Sequence, residues 1–228
     1  MSDDTHWHLD LRNKPVPSYI AIEGPIGVGK TTLAKNLAQT FNVDTLLERA
    51  EDNPFLPRFY AREKNSALPT QLFFLFQRMQ QLNELQQTDM FKPVRVADFL
   101  LEKDPLFAQA TLSDEELHLY QQVYNHLTID APKPDLVVYL QAPTSILLER
   151  IHQRGVRAEQ SIDHEYLERL NEAYTRLFHY YEDAPLLIVN SADIDWVNNP
   201  KDYHDLVQTM LTITTGRHYY NPQPTILR

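Results

Sequence analysis

The stretch YIAIEGPIGVGKT at residues 19–31 decides the predicted fold. Its first four residues form an apolar run that predicts a buried strand, and Leu33, Leu37 and Phe41 recur at helical spacing behind it. Between strand and helix, residues 24–31 match the pattern G-x-x-x-x-G-K-[ST] of phosphate-binding loops, in the context that confirms such a match. The sequence therefore predicts a strand, a loop and a helix that together bind a nucleotide.

Glycine is concentrated in this loop. The chain has only 5 glycines, and three of them, Gly24, Gly27 and Gly29, lie within eight residues. Glycine permits the tight backbone curvature that points successive N–H groups at phosphate oxygens. The helix that follows adds a positive dipole, Lys30 can reach the β- and γ-phosphates, and the Thr31 hydroxyl can bind Mg²⁺. An ordinary glycine-containing turn is the alternative, which the full match in this context disfavours.

Strand and helix patterns alternate along the rest of the chain. Further strands are predicted at residues 45–48, 94–98, 136–140 and 186–189, and further helices at 71–85, 113–127 and 164–181. Strands that alternate with helices favour an α/β fold with a five-stranded parallel sheet and helices on both faces. We expect one domain over residues 18–212, with residues 1–17 and 213–228 as terminal tails.

The chain is acidic and lacks cysteine. It has 21 Lys and Arg against 31 Asp and Glu among 228 residues, which gives a formal net charge of -10. Such a surface repels nucleic acid backbones and anionic lipids, so neither nucleic acid nor a membrane is expected as a partner. The acidic, polar N-terminal segment is unlike a signal peptide, and no apolar stretch reaches the ~18 residues of a transmembrane helix, which favours a cytoplasmic location.

Two carboxylates close predicted strands. Glu48 ends the second strand and Asp98 ends the third, at the edge of an open parallel sheet where ligands bind. Either carboxylate can accept a proton from an attacking hydroxyl group or hold Mg²⁺. The alternative is that each is an exposed acid that caps the next helix.

A basic cluster predicts a lid. Arg150 and Arg154 lie one helical turn apart, and Gly155 ends the predicted helix so that Arg157 can return over the same space. Arginines that close over the phosphates are expected in phosphoryl transfer, because its catalysis is largely electrostatic. A solvated helix end with cations at the negative end of the dipole is the alternative.

Several motifs in sequence order make the chain resemble the deoxynucleoside kinases, the group that contains the bacterial deoxyadenosine and deoxyguanosine kinases and the animal deoxycytidine kinase. Besides the phosphate-binding loop, the motifs are LLERAEDNPF, TQLFFLFQR, RIHQRGVRAEQSI, EYLERLNEAYTRLFHYY and VNSADIDWVNNPKDYHDLV. The resemblance covers about residues 19–211. It implies a P-loop kinase with an arginine-rich lid that uses ATP and Mg²⁺ to phosphorylate the 5′-hydroxyl of a deoxynucleoside, in the salvage of DNA precursors.

The resemblance also implies roles for residues on the acceptor side. Glu48 matches the glutamate that deprotonates the 5′-hydroxyl, and Tyr60 and Glu159 match residues that bind the sugar 3′-hydroxyl. Gln71 matches the residue that pairs with the base edge, and Arg78 lies beside it, two turns away on one helix face. The implied substrate-binding residues are Glu48, Tyr60, Gln71, Arg78, Asp98, Glu159 and Phe107, an aromatic that would stack on the base.

On the ATP side, residues 190–203 resemble the loop that holds the adenine, and Thr31 with Asp98 would place Mg²⁺. The residues implied to stabilise the transferring phosphoryl group are Lys30, Arg150, Arg154 and Arg157. The implied ATP-binding residues are Gly24, Pro25, Ile26, Gly27, Val28, Gly29, Lys30, Thr31, Thr32, Arg150 and Arg154.

The chain departs from the family pattern at two places. The family usually has Asp-Arg-Ser or Glu-Arg-Ser at the end of strand three, whereas this chain reads DFL at residues 98–100, without the arginine that contacts the 5′-hydroxyl region. Lys103 and Arg49 are the candidates to replace that arginine. In the lid, residues 154–157 read RGVR, one residue longer between charges than the family's Arg-Gly-Arg. Weak activity or a changed acceptor is therefore one interpretation.

Two other functions share some of these features. A nucleoside monophosphate kinase of the thymidylate kinase type has the same loop and lid but needs further arginines for the acceptor's phosphate. A nucleotide sensor or scaffold protein would bind ATP with little transfer. Retention of Glu48, Tyr60, Gln71 and Glu159 together favours the deoxynucleoside kinase.

The resemblance to bacterial members slightly favours deoxyadenosine as the acceptor. The family also forms dimers through helices beside the acceptor pocket, and the run at residues 73–76 is more apolar than one helix face needs. A homodimer is therefore expected, with a purely internal role of that run as the alternative.

Overall fold

The computed structural model describes residues 16–87, 95–128 and 131–221. These residues form six β-strands and eight α-helices. The strands are β1 (Tyr19–Glu23), β2 (Asp44–Leu46), β3 (Arg95–Ala97), β4 (Leu136–Gln141), β5 (Leu186–Asn190) and β6 (Arg217–Tyr220). The helices are α1 (Lys30–Phe41), α2 (Leu56–Tyr60), α3 (Ala67–Gln87), α4 (Lys103–Thr111), α5 (Asp114–Leu127), α6 (Thr144–Arg154), α7 (His164–Tyr180) and α8 (Pro200–Met210).

All six strands are parallel and are hydrogen-bonded in the order β2-β3-β1-β4-β5-β6. The α/β class and the first five strands were predicted, but the predicted count of five strands is wrong. The sequence of β6 reads RHYY, and its side chains are mostly exposed at the sheet edge, so no apolar run marks it. β6 lies within residues 213–228, which the sequence assigned to a tail.

Parts of three predicted segments lie outside the described residues. These parts are residues 1–15 of the N-terminal tail, residues 222–228 of the C-terminal tail and position 94 of the third predicted strand. Within the part of the chain that the structure describes, no helix is long and apolar enough to cross a membrane.

Two apolar cores cover the two faces of the sheet, because successive side chains of a strand point in opposite directions. In β1, Ile20 and Ile22 pack into a first core with residues of α1, α6 and α8. Tyr19 and Ala21 pack into a second core with residues of α3, α4, α5 and α7. Helices therefore lie on both faces, as the sequence predicted.

The strand order places β1 at the centre of the sheet, between β3 and β4. Chain connections run from this point towards both edges, and in open parallel sheets a ligand crevice forms there, at the carboxyl ends of the strands. The phosphate-binding loop follows β1 directly, and α1 begins at Lys30. The loop and the positive end of α1 therefore lie at the mouth of this crevice.

The backbone of the loop requires glycine. Gly24, Gly27 and Gly29 have φ angles of 149°, 84° and 104°, which other residues rarely adopt. At Gly24, a Cβ atom would also lie only 2.4 Å from the carbonyl oxygen of Leu140 in β4. Because that oxygen belongs to a central strand, the contact cannot be relieved by a side-chain movement.

We predict that Gly24→Ala lowers the free energy of unfolding by about 3 kcal/mol, from the positive φ and the overlap with β4 together. Gly216→Ala is the matched control. Gly216 also has a positive φ, but no atom lies within 4 Å of its would-be Cβ, so about 1 kcal/mol is expected. Urea unfolding of both variants measures the difference, and equal losses would contradict the role of the close approach to Leu140.

Candidate active site

Two cavities open at the carboxyl edge of the sheet. The P-loop cavity, about 850 Å³, lies between the phosphate-binding loop, α6 and the loop after β5. The Glu48 cavity, about 740 Å³, lies between the same loop, α3, α4 and the segment after α6. Four residues line both cavities, namely Gly27, Lys30, Thr31 and Arg154. The predicted phosphate-binding residues therefore stand where two ligands can meet.

The structure brings most of the predicted site residues to these cavities. Those that line the P-loop cavity are Gly27, Val28, Gly29, Lys30, Thr31, Thr32, Arg150 and Arg154. Those that line the Glu48 cavity are Ile26, Gly27, Lys30, Thr31, Glu48, Tyr60, Gln71, Arg78, Asp98, Phe107, Arg154 and Glu159. Gly24, Pro25 and Arg157 line neither cavity.

Lys30 holds the loop in shape. Its ammonium group donates to the carbonyl oxygens of Gly24 at 2.7 Å and Pro25 at 3.1 Å. These contacts give Gly24 and Pro25 a structural part in the site although neither lines a cavity. Burial lowers the pKa of Lys30, and nearby carboxylates oppose this shift.

Asp98 lines the Glu48 cavity and contacts Thr31, which lines both cavities. Its carboxylate accepts a hydrogen bond from the Thr31 hydroxyl at 2.5 Å and another from the backbone N–H of Glu48 at 2.7 Å. Burial raises the pKa of Asp98, and these two hydrogen bonds oppose the shift. The predicted pair of Thr31 and Asp98 is therefore in contact, and Asp98 also fixes the backbone that carries Glu48.

Glu48 lies between two buried cations. Arg78 of α3 forms an ion pair with its carboxylate, with Nε 2.8 Å from Oε1, and the Lys103 ammonium of α4 lies 3.2 Å from Oε1. Burial by itself disfavours the charged carboxylate, but Arg78, Lys103 and Lys30 outweigh it and lower the pKa of Glu48 to about 2. Glu48 is therefore ionised at neutral pH.

Asp104 is a site residue that sequence reasoning missed. Its buried carboxylate forms an ion pair with Arg78, which thus contacts two carboxylates at once. In the sequence, Asp104 stands in the first turn of a helix, where an acid is commonly explained by the helix dipole. Only the tertiary packing of α3 against α4 brings it to Arg78.

Glu23 was missed as well. This fully buried side chain ends β1 and accepts hydrogen bonds from the backbone N–H groups of Gly24 and Leu100 and from the Tyr174 hydroxyl. Three donors satisfy a carboxylate that burial would otherwise destabilise. The available signal was a charged residue at the end of an otherwise apolar run.

The far end of the Glu48 cavity carries the residues predicted for the base and sugar. The Gln71 side chain is buried and its amide donates to the Thr111 hydroxyl at 3.3 Å. Phe107 packs edge-on against Tyr174, with ring centroids 6.1 Å apart. Burial raises the pKa of Tyr60 well above its ordinary value, so its hydroxyl stays protonated and can donate.

The three lid arginines occupy different environments. Arg150 donates to the backbone carbonyls of Val28 and Ser191, so it connects the phosphate-binding loop to the loop after β5. Arg154 forms an ion pair with Glu159 at 2.5 Å, within the lid itself. Arg157 is exposed and makes no hydrogen bond or ion pair with the described residues.

The predicted adenine-binding segment also lines the P-loop cavity, through residues 192–198 and Asp202. Within it, Trp196 is buried against the loop, with a ring carbon 2.8 Å from where a Cβ of Gly29 would be. The Asn36 side chain of α1 donates to the Trp196 carbonyl at 3.1 Å. An aromatic wall thus stands beside the phosphate-binding loop.

Comparison with known proteins decides the family. The family model described as "Deoxynucleoside kinase" matches residues 20–214. The deoxyguanosine kinase of Bacillus subtilis is 39% identical over 191 residues, which cover 81% of this chain and 92% of that protein. This chain belongs to the deoxynucleoside kinase family. It is therefore a kinase, and the resemblance seen in the sequence motifs is confirmed.

Other members of the deoxynucleoside kinase family are similar to this chain in sequence and in structure. The deoxyadenosine kinase of Lactobacillus acidophilus is 29% identical over 79% of this chain and 88% of its own length. The structure of deoxyadenosine kinase from M. mycoides with bound dATP has a TM-score of 0.74 at 26% identity, over 86% of this chain and 99% of that one. The P-loop kinase fold predicted from the motifs is thus confirmed.

We predict that Arg78→Met lowers the free energy of unfolding at pH 7 by about 3 to 5 kcal/mol, because the variant leaves buried carboxylates without their main partner. Adding Asp104→Asn should recover at least about 1 kcal/mol, since it removes one of the uncompensated charges. Arg58→Met, which breaks an exposed ion pair with Glu63, should cost less than about 1 kcal/mol. Urea unfolding tests all three, and equal losses for Arg78→Met and Arg58→Met would contradict the prediction.

Proposed function

We propose that this kinase transfers the γ-phosphoryl group of ATP to the 5′-hydroxyl of a purine deoxynucleoside. The observation that carries the proposal is the meeting of the two cavities at Lys30, with the Glu48 carboxylate on the acceptor side. A donor nucleotide in one cavity and an acceptor in the other would place the reacting groups at this junction.

The P-loop cavity suits ATP. Lys30 and Arg154 border both cavities, where the transferred phosphoryl group would develop charge, and the Trp196 segment offers a wall for the adenine. The structure of the M. mycoides deoxyadenosine kinase with bound dATP supports a nucleoside triphosphate as ligand of this fold. Arg150 reaches the loop backbone, and the role predicted for Arg157 stays a prediction.

Thr31 and Asp98 fit a Mg²⁺ ion. Their hydroxyl and carboxylate oxygens already lie together, and Mg²⁺ commonly takes one carboxylate while water and substrate phosphates complete its shell. The ion, when bound, would neutralise charge on the phosphates. Thr31 and Asp98 would then hold the donor side in a fixed position relative to Glu48.

Glu48 is the residue proposed to receive the proton. The carboxylate takes the proton of the 5′-hydroxyl while the new oxygen–phosphorus bond forms and the bond to the β-phosphate oxygen breaks, so that ADP leaves. A carboxylate with a pKa of about 2 is a weak base. It suffices because the transition state of phosphoryl transfer is loose, so the proton leaves late, when the bond to phosphorus has made the hydroxyl oxygen more acidic.

The identity of the base is the finer part of the proposal. The Gln71 amide offers a donor and an acceptor, which suits adenine, guanine or cytosine, and Arg78 adds further donors nearby. The sequence motifs slightly favoured deoxyadenosine, whereas the 39% identical relative is named a deoxyguanosine kinase. Both purine deoxynucleosides therefore stand as proposed acceptors.

The deciding experiment is an ATP-dependent phosphorylation assay over the four common deoxynucleosides, with their ribose and monophosphate counterparts. We predict transfer to deoxyguanosine or deoxyadenosine, and a kcat at least ~100-fold lower for Glu48→Gln, because the variant cannot take the proton. ATP binding, measured by calorimetry, should be unchanged. Glu168→Gln, which changes an exposed acid on α7, is the matched control and should keep full activity.

Other outcomes would contradict the proposal in distinct ways. Faster transfer to a monophosphate would indicate a thymidylate kinase type of reaction. ATP binding without transfer to any acceptor would indicate a sensor or scaffold protein. Full turnover by Glu48→Gln would remove Glu48 from its proposed role while leaving the kinase in place.

We also propose a homodimer. Helices α3 and α5 pack against each other and carry two large exposed apolar side chains, Phe76 at 53% and Leu119 at 49% exposure. Because α3 and α5 are packed neighbours, we propose that the two side chains belong to one apolar patch, the kind of surface that marks an interaction site. A second copy of the chain is the proposed partner.

We predict that the wild-type protein has twice the 26.7 kDa chain mass in size-exclusion chromatography with light scattering, and that Phe76→Ser with Leu119→Ser reduces it to one chain. Tyr219→Ser, at a 72% exposed aromatic on the edge strand β6, is the control and should leave the mass unchanged. A wild type that elutes with the mass of one chain would exclude this proposal.

A further inference from the structure

A buried lysine stands at the start of α4. The Lys103 side chain is only 3% exposed, and its ammonium group lies 3.2 Å from Glu48 Oε1 and 3.5 Å from Glu23 Oε2. The same nitrogen is 3.4 Å from Glu48 Oε2, so it faces both oxygens of that carboxylate. Lys103 therefore connects the carboxylate at the end of β1 to the carboxylate proposed to take the proton.

Stability alone does not explain a charge at this position. A buried ammonium loses its hydration, and an ion pair in the interior is often no more stabilising than apolar residues of the same volume. Lys103 is also the first residue of α4, where the helix dipole disfavours a cation. Lys103 lines the Glu48 cavity despite its lost hydration and the unfavourable helix dipole.

Lys103 also lies close to the phosphate-binding loop. Burial lowers the pKa of Lys30, and the charge of Lys103 contributes to the same shift, which places the two ammonium groups in one electrostatic environment. An ammonium group has three N–H donors, and Lys103 faces three carboxylate oxygens, two of Glu48 and one of Glu23. Lys103 therefore acts through the carboxylates that it holds.

The neighbouring residues do not supply this charge. Phe99, the residue after Asp98, is fully buried in the second core and does not line the Glu48 cavity. Arg49 lines that cavity but is exposed, and its side chain makes no hydrogen bond or ion pair with the described residues. Of the two candidates named from the sequence, Lys103 is the one in contact with Glu48.

We propose that Lys103 is a positioning residue for phosphoryl transfer: it fixes the Glu48 carboxylate against the acceptor hydroxyl and supplies, from α4, the positive charge absent after Asp98. This inference rests on the proposed function, because it assigns a part in that same reaction. It identifies the charge, rather than the length or packing of the side chain, as the property that matters.

The absence of cysteine from the chain allows a direct test of that charge. In Lys103→Cys, residue 103 is the single thiol. Alkylation in urea with 2-bromoethylamine, followed by refolding, restores an ammonium group on a chain of nearly the length of lysine. Alkylation with iodoethane gives a neutral side chain of similar size. The wild-type protein, treated identically, controls for reaction elsewhere.

We expect the ethylated form to lose about 100-fold in kcat, the scale seen when one electrostatic contact to a reacting centre is removed. The aminoethylated form should recover at least a tenth of the wild-type kcat. The KM for ATP should change by less than about 2-fold in both forms, because Lys103 acts on the acceptor side. Lys133→Met, at an exposed lysine paired with Asp183, should behave as wild type.

The outcomes separate this inference from the proposed function. If the wild type transfers phosphate and the ethylated form is as fast, Lys103 has no positioning part, and the proposed function stands. If both alkylated forms fold by circular dichroism yet are equally slow, charge is not the relevant property and the inference is overturned. If the wild type transfers to no deoxynucleoside, the proposed function fails and this role of Lys103 fails with it.

Discussion

The ion pairs of Glu48 with Arg78 and Lys103 are the constraint on which the Glu48 cavity depends. They join three separate parts of the chain: the segment after β2, helix α3 and the start of helix α4. None of these charges is stable in the interior by itself, because burial of an isolated ion costs several kcal/mol. Each element is therefore held at the distance that keeps its charge paired, and the Glu48 cavity takes its shape from that requirement.

Asp98 connects this group of charges to the phosphate-binding loop. The Asp98 carboxylate accepts a hydrogen bond from the hydroxyl of Thr31, in the phosphate-binding loop, and another from the backbone N–H of Glu48. A shift of the loop would move Asp98, and with it the residue proposed to take the proton. The phosphate-binding loop and Glu48 are thus linked by two short hydrogen bonds through one carboxylate. Glu23 adds a second connection, since it contacts Lys103 and the backbone where the loop begins.

The elements that could be predicted from the sequence are those with a signal in consecutive residues. The loop at residues 24–31 and five strands could be predicted because glycine usage and apolar runs are local properties. The strand β6 could not, because an edge strand with exposed side chains carries no apolar pattern. The part of Asp104 in the site could not be predicted either, because its partner Arg78 is distant in sequence. Only the packing of α3 on α4 brings the two residues together.

The ion pair in the predicted lid is more exposed than the ion pairs around Glu48. Arg154 borders both cavities, yet it is paired with Glu159, itself a lining residue of the Glu48 cavity. About half of the Arg154 side chain is exposed, so this pair contributes at most about 1 kcal/mol. In the proposed reaction, phosphate oxygens would compete with Glu159 for Arg154, because they carry more charge than one carboxylate and can also form two parallel hydrogen bonds with a guanidinium. Release of Glu159 would follow in the same step, which frees a carboxylate beside the acceptor at the moment the donor is bound. The pairs around Glu48 are more deeply buried than the Arg154 pair, so in the proposed reaction they would stay fixed while Arg154 changes its partner.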